Sequence, residues 1–267
     1  MRAFDPHLLT RRVGPQAARS SIAVIGAGPA GPGAAIELRR HGFTNVVVLE
    51  ASDRVGGRSC TFSYHGVEVD MGTAAYSRIS YRMITRLVDE AGVATVVPPP
   101  FLLMDGAGHF VQPALPPLLT VLRYVAYWFV WRVRLLRDEP VTSAGSCVAW
   151  LKQHGLSGFL GENTLYFTGR SMYYFRESVS MVDFFRWFRP STLISGLFPR
   201  SITRLPGGFF GLWKALVTRH RITVRTGRPV TSVCPAGDGG VLVDGERYDV
   251  VVLACPPGAV SSLKREL

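Results

Sequence analysis

The stretch Ser21 to Gly42, SIAVIGAGPAGPGAAIELRRHG, constrains this chain more than any other. An apolar run of strand character breaks into Gly26-Ala27-Gly28-Pro29-Ala30-Gly31 and continues as a helical pattern from Pro29 to His41, with Ile36 and Leu38 to bury and Gly42 as its stop. Glycines spaced Gly-x-Gly-x-x-Gly between a strand and a helix have mechanical roles. The first makes a tight turn, the second admits a pyrophosphate against the backbone, and the third lets helix and strand pack closely. The helix N-terminus then presents unpaired N–H groups and a positive dipole end to the phosphates. Gly26, Gly28, Ala30 and Gly31 are therefore candidate dinucleotide contacts. Pro32 removes a donor within the first turn, which predicts a loosened helix start.

The next apolar run, Asn45 to Glu50, completes a strand-helix-strand unit and places a carboxylate at the strand tip. Glu50 stands at the interval from the glycines where an acidic side chain accepts both ribose hydroxyl protons, and it would repel a 2′-phosphate. An NADP-type cofactor is disfavoured.

The continuation EASDRVGGRSCTFSYHGVEVDMG adds a second glycine pair, Gly56-Gly57, followed at once by Arg58. Glu50, Arg54, Gly56, Gly57 and Arg58, followed by Asp70-Met71-Gly72, resemble the flavin-containing amine oxidase superfamily: monoamine and polyamine oxidases, phytoene-desaturase-like enzymes and flavin-dependent double-bond isomerases. The resemblance implies FAD as cofactor, with Glu50 on the adenosine ribose, Gly57 and Arg58 along the pyrophosphate and ribityl chain, and Gly72 close to the flavin ring. It also implies that the backbone of Val230 lies against adenine, and that the strand ending at Ala254 returns to the cofactor domain. Ser52 departs from the family pattern, where arginine is frequent. Relatives continue beyond the point matching Leu267, so the chain reads as the N-terminal part of such an enzyme.

Composition sets outer bounds. With 30 Lys+Arg against 19 Asp+Glu, the net charge is +11, which favours phosphates, acidic lipid or nucleic acid as partners. The arginines are scattered rather than interleaved with aromatics along a strand, which argues against a nucleic-acid surface. Cys60, Cys147, Cys234 and Cys255 are too few and too far apart for a disulfide framework or a CxxC site, and point to reduced thiols and a cytoplasmic protein. The histidines at 7, 41, 65, 109, 154 and 220 show no metal spacing. No metal site is expected, and no catalytic side chain is singled out. Residues 113–138 are apolar but interrupted by arginines, too short for a bilayer span. They read either as a packed helix or as a peripheral membrane contact anchored by Trp128 and Trp131.

Beyond the proline run at 98–100 the pattern turns helical, through SCVAWLKQHG, SVSMVDFFRWF and FFGLWKALVTRH. Strands return from Arg221 as a meander followed by a buried strand, VVVLACPP. Tyr166, Phe167, Tyr173, Tyr174, Phe175, Phe184, Phe185, Trp187 and Phe188 are dense enough to line an apolar pocket or to fill a core. The expected fold class is α/β: a Rossmann-like FAD-binding domain with an inserted, mostly helical substrate domain. Residues 1–20 read as a flexible arm, 21–92 and 222–267 as the FAD-binding domain, and 93–221 as the partial substrate domain. The expected function is FAD-dependent hydride transfer from a small-molecule amine or apolar unsaturated substrate. A double-bond isomerase, a non-catalytic dinucleotide-binding fragment and an NAD-dependent dehydrogenase are the alternatives.

Overall fold

The computed structural model describes residues 17–98, 103–104, 110–111, 117–136, 147–156, 184–186, 188–197 and 199–263. A 3-10 turn, Ala17–Arg19, leads into strand β1 (Ser21–Ile25), helix α1 (Ala30–Arg40) and strand β2 (Asn45–Leu49). The hairpin β3 (Thr61–Tyr64) and β4 (Val67–Asp70), the short β5 (Tyr76–Ser77) and helix α2 (Arg82–Ala91) follow. Next come the antiparallel pair β6 (Leu103–Met104) and β7 (Phe110–Val111), helices α3 (Leu118–Leu136), α4 (Cys147–Gln153) and α5 (Pro190–Leu197), and the short β8 (Ile202–Thr203). Helix α6 (Gly208–Arg219), strand β9 (Thr223–Arg225), the three-stranded β10 (Val233–Pro235), β11 (Val241–Val243) and β12 (Glu246–Tyr248), strand β13 (Val250–Leu253) and helix α7 (Pro257–Ser262) complete it.

Two compact units divide the chain: residues 1–76, 83–96 and 204–267 form one, and 77–82 with 97–203 the other. In the first, a sheet runs in the order β13-β1-β2-β9, each neighbouring pair parallel. Parallel strands covered on both faces need side chains that are apolar at successive positions, which accounts for the unbroken IAVI and VVVL runs. Ile22, Val24, Val46 and Val48 face a core shared with Ile36 of α1, Val88 of α2 and Leu212, Trp213 and Leu216 of α6. Ala23, Ile25, Val47 and Leu49 face the opposite side with Val243 and Tyr248. Ser21 locks the entry to β1 by donating from its backbone N–H (2.7 Å) and hydroxyl (3.0 Å) to Asp249, just before β13.

Three expectations change. Strand β9 does not belong to the meander: it pairs with β2, and only β10, β11 and β12 form the antiparallel sheet. Strand β13 is an edge rather than a buried strand, with Val250 44% and Leu253 45% exposed. Helix α6 falls in the first unit, not in the substrate domain expected over 93–221, because its apolar face completes the α1 side of the sheet.

The second unit packs around Tyr124 and Trp131 of α3, Cys147 and Leu151 of α4, Leu156 and the aromatics Phe184, Phe185 and Phe188. Tyr124 donates its hydroxyl to the Phe188 carbonyl. Burial raises the Tyr124 hydroxyl and pushes the Cys147 thiol up to about 12, so both stay neutral. The described aromatics of the candidate pocket are thus core residues. Tyr166, Phe167, Tyr173, Tyr174, Phe175 and Trp187 lie outside the described residues.

Leu212 is fully buried in the first core, and truncating it leaves a cavity that neighbours on α1 and the sheet fill incompletely. Leu212→Ala is expected to lower unfolding free energy by about 2–5 kcal/mol in urea titration.

Candidate cofactor site

Strand β1 is where the sheet changes direction: β2 lies on one side of it and β13 on the other. In open parallel sheets such a switch point leaves a crevice beyond the carboxyl ends of the strands. The glycine loop sits there. Gly26, at φ +104°, donates its N–H to the Leu49 carbonyl (2.8 Å), and a side chain on it would stand 3.0 Å from the Ala254 carbonyl oxygen. Gly31 is the tightest point, because a Cβ there would lie 1.8 Å from the Gly26 carbonyl oxygen. No side chain fits, and the absence of one lets α1 close onto β1.

Gly28 contrasts with Gly31: a Cβ on it would meet no atom within 4 Å. The loop is open on this side, where a ligand can approach. Gly57 lies against Gly28, and its φ of +53° and virtual Cβ 2.9 Å from the Gly28 Cα require glycine. The second glycine pair is therefore not a plain hairpin turn. Gly56 donates to the Ala27 carbonyl (2.8 Å), and Arg54 Nη1 donates to the Gly57 carbonyl (3.3 Å), so the two glycine segments are bonded into one cradle.

The first intrahelical i→i−4 bond runs from Gly33 to the Pro29 carbonyl (3.2 Å), while Gly31 takes the Gly28 carbonyl (3.0 Å). Pro32 stands in the first turn, where its missing N–H would be an orphan in any case, and it is buried. The expected loosening of the helix start does not occur. Pro29 and Pro32 carry no N–H, and among the described residues no acceptor meets the N–H of Gly28 or Ala30. Those two donors at the positive end of α1 are left for an anion.

Glu50 closes the cradle. Its Oε2 accepts from the Ala27 N–H (2.6 Å), and its Oε1 accepts from the Ser52 N–H (2.9 Å), with the Ser52 hydroxyl at 2.8 Å. Partial burial raises the Glu50 carboxyl, but bonds from Ser52, Ala27 and Ala51 together outweigh it and hold the group below its ordinary value. The Ser52 hydroxyl also lies 2.9 Å from the Arg54 carbonyl and has one proton to give. Backbone donors from Ala27, Ser52 and Ala51 occupy most of the carboxylate's four acceptor directions, and the turn of the Ser52 hydroxyl to Arg54 frees acceptor capacity for a ligand hydroxyl.

Sequence reasoning missed how Glu50 is held from the far end of the chain: Arg228 donates to the Glu50 carbonyl (2.8 Å) and Gly227 to that of Ser52 (2.7 Å). The Thr-Gly-Arg-Pro turn was the available signal. Val230 packs beside Ile25, Val47 and Leu49 on the same side of the sheet. Arg58 is exposed, next to the cradle, and has no ion-pair partner among the described residues. Gly72 runs beside it, where a Cβ would stand 2.2 Å from the Arg58 carbonyl oxygen. A second missed contact is Gly208, whose virtual Cβ falls on the Thr61–Asp70 hydrogen bond and ties α6 to the β3–β4 hairpin. The open approach to Gly28, the N–H groups of Gly28 and Ala30, the exposed Arg58 and the clamped carboxylate, all judged among the described residues, fit the diphosphate and sugar of an adenine dinucleotide. Among the described residues no group of three His, Cys, Asp or Glu could hold a metal ion.

The sequence profile described as flavin containing amine oxidoreductase matches residues 30–267. Amine oxidase [flavin-containing] A of Sus scrofa is 37% identical over 116 residues, covering 42% of this chain and 22% of that protein. Among solved structures, the CLA-producing fatty acid isomerase from P. acnes superposes with a TM-score of 0.71 at 21% identity, over 94% of this chain and 62% of that one. Wild-type putrescine oxidase bound to putrescine gives 0.68 at 22% identity, over 93% and 60%. The chain thus spans about a fifth of the length of such curated relatives and about three-fifths of the solved structures.

Gly31→Ala is expected to destabilise the ligand-free protein in thermal melts, whereas Gly28→Ala leaves it within about 1 kcal/mol of the parent, since only the former has no room for a methyl. A carboxyl held below 4.5 in the folded state contributes stability above that pH and loses it as pH falls through the lower folded value. The stability difference between parent and Glu50→Gln should therefore be full near neutrality and shrink below pH 4.5 in denaturation series.

Proposed function

Because the chain belongs to the flavin containing amine oxidoreductase family, we propose that its cradle holds FAD and that it serves FAD-dependent hydride transfer from an amine or an apolar unsaturated substrate. The observation that carries this reading is the open approach to Gly28, with Gly57 packed against it and Glu50 bonded to the adjacent Ala27 N–H. The N–H groups of Gly28 and Ala30 bind the pyrophosphate, with the α1 dipole adding about 0.3–1 kcal/mol per charge contact. Arg58 neutralises the same phosphates from the solvent side, as a guanidinium suits a bidentate partner. Glu50 accepts from the adenosine ribose and excludes a 2′-phosphate by like charge. Val230 lies on the sheet face that continues toward the adenine position, and Gly72 lets the backbone come close to the ring system.

When bound, FAD supplies the hydride acceptor. The protein's task is then to orient the cofactor, exclude water and hold the diphosphate charge. An external acceptor makes the protein an oxidase or dehydrogenase. The likeness to the fatty acid isomerase structure supports a second reading, in which a double bond is moved with no net change in the substrate's oxidation state.

Purified protein reconstituted with FAD should hold it through gel filtration and show flavin absorbance. Gly28→Val and Glu50→Ala should each lower retention at least tenfold while circular dichroism stays unchanged. Full retention in both variants would overturn the assignment. Anaerobic bleaching by an amine favours the oxidoreductase, and a shifted double bond in a fatty acid without net bleaching favours the isomerase.

A further inference from the structure

Helix α3 buries Tyr124 and Trp131 in the second unit and leaves a continuous apolar arc in solvent. Leu118, Leu122, Phe129 and Val133 follow one another along one side, and Leu119 and Val130 widen it. Leu118 is 73%, Leu122 56% and Phe129 58% exposed. At 100° per residue these side chains occupy about a third of the helix circumference. Arg132 stands at one border of the arc and Arg123 at the other, both exposed, and α3 contains no aspartate or glutamate. The expected tryptophan anchors are turned inward: Trp131 is buried, and Trp128 donates its indole N–H to the Phe185 carbonyl (3.0 Å). What remains outside is aliphatic side chains and one phenylalanine, with Arg132 at one border and Arg123 at the other.

We propose that α3 docks this protein on the surface of an anionic phospholipid bilayer, lying in the plane of the headgroup boundary. A surface that is apolar below and negative above complements the arc and both its borders at once. The net charge of +11 adds attraction at longer range. None of the described helices is long and apolar enough to cross a membrane, so the helix lies flat. This inference is independent of the flavin reading.

Vesicle co-sedimentation tests it, using the full chain with phosphatidylcholine alone and with phosphatidylcholine mixed with phosphatidylglycerol. Binding should be at least tenfold tighter to the anionic vesicles and should weaken with salt. The double variant Leu122→Ser, Phe129→Ser should lower it at least tenfold, and Arg123→Gln, Arg132→Gln should lower it about thirtyfold, at about fivefold per charge, with circular dichroism unchanged in both. Absence of binding, equal binding to neutral vesicles, or full binding by the Leu122→Ser, Phe129→Ser variant would overturn the proposal. So would a concentration-dependent dimer in light scattering that this variant abolishes, which would give the face to a second copy of the chain.

Discussion

The approach of the Gly31 Cα to the Gly26 carbonyl is the contact on which the first unit depends. With no side chain between them, α1 starts directly above the end of β1, and its N-terminus points into the crevice at the switch of strand order. The same closeness brings Gly57 under Gly28 and lets Gly56 bond to Ala27. Packing and binding thus share one cause, since the geometry that seals helix onto sheet also leaves the approach to Gly28 open.

Electrostatics completes the arrangement. The N-terminal dipole of α1 favours negative charge beside Gly28, whereas Glu50 puts a carboxylate at the tip of β2. A ligand with a diphosphate at one end and a sugar at the other matches that polarity. Glu50 keeps its charge because backbone donors from Ala27 and Ser52 compensate its partial burial. Ser52 takes part in this clamp through both its N–H and its hydroxyl, so a residue that departs from the family pattern has a defined structural role here.

Much of this was legible because local rules and tertiary demands agree. The GxGxxG spacing, the apolar runs and the acidic strand tip each name a conformation that the whole unit then uses. Pro32 misled because its cost depends on where the first helical bond begins, and the helix starts its bonding at Gly33. Strand β9 misled because alternation cannot say which neighbour a short strand selects, and the buried edge of β2 outcompeted the meander. The contacts of Gly227 and Arg228 with the Glu50 segment join residues far apart in sequence, so the Thr-Gly-Arg-Pro turn signals a bend but not the partner it meets. In the second unit, aromatic density alone does not separate core from pocket; for Phe184, Phe185 and Phe188 it is their packing with Tyr124 and Trp131 that makes them core.

At the centre of the account is an adenosine diphosphate seated between Gly26 and Arg58. Competition calorimetry on the apoprotein tests this most directly, by titrating FAD in the presence of ADP or of FMN. ADP should weaken FAD binding in proportion to its concentration while FMN has little effect. Competition by FMN with none by ADP would contradict the account.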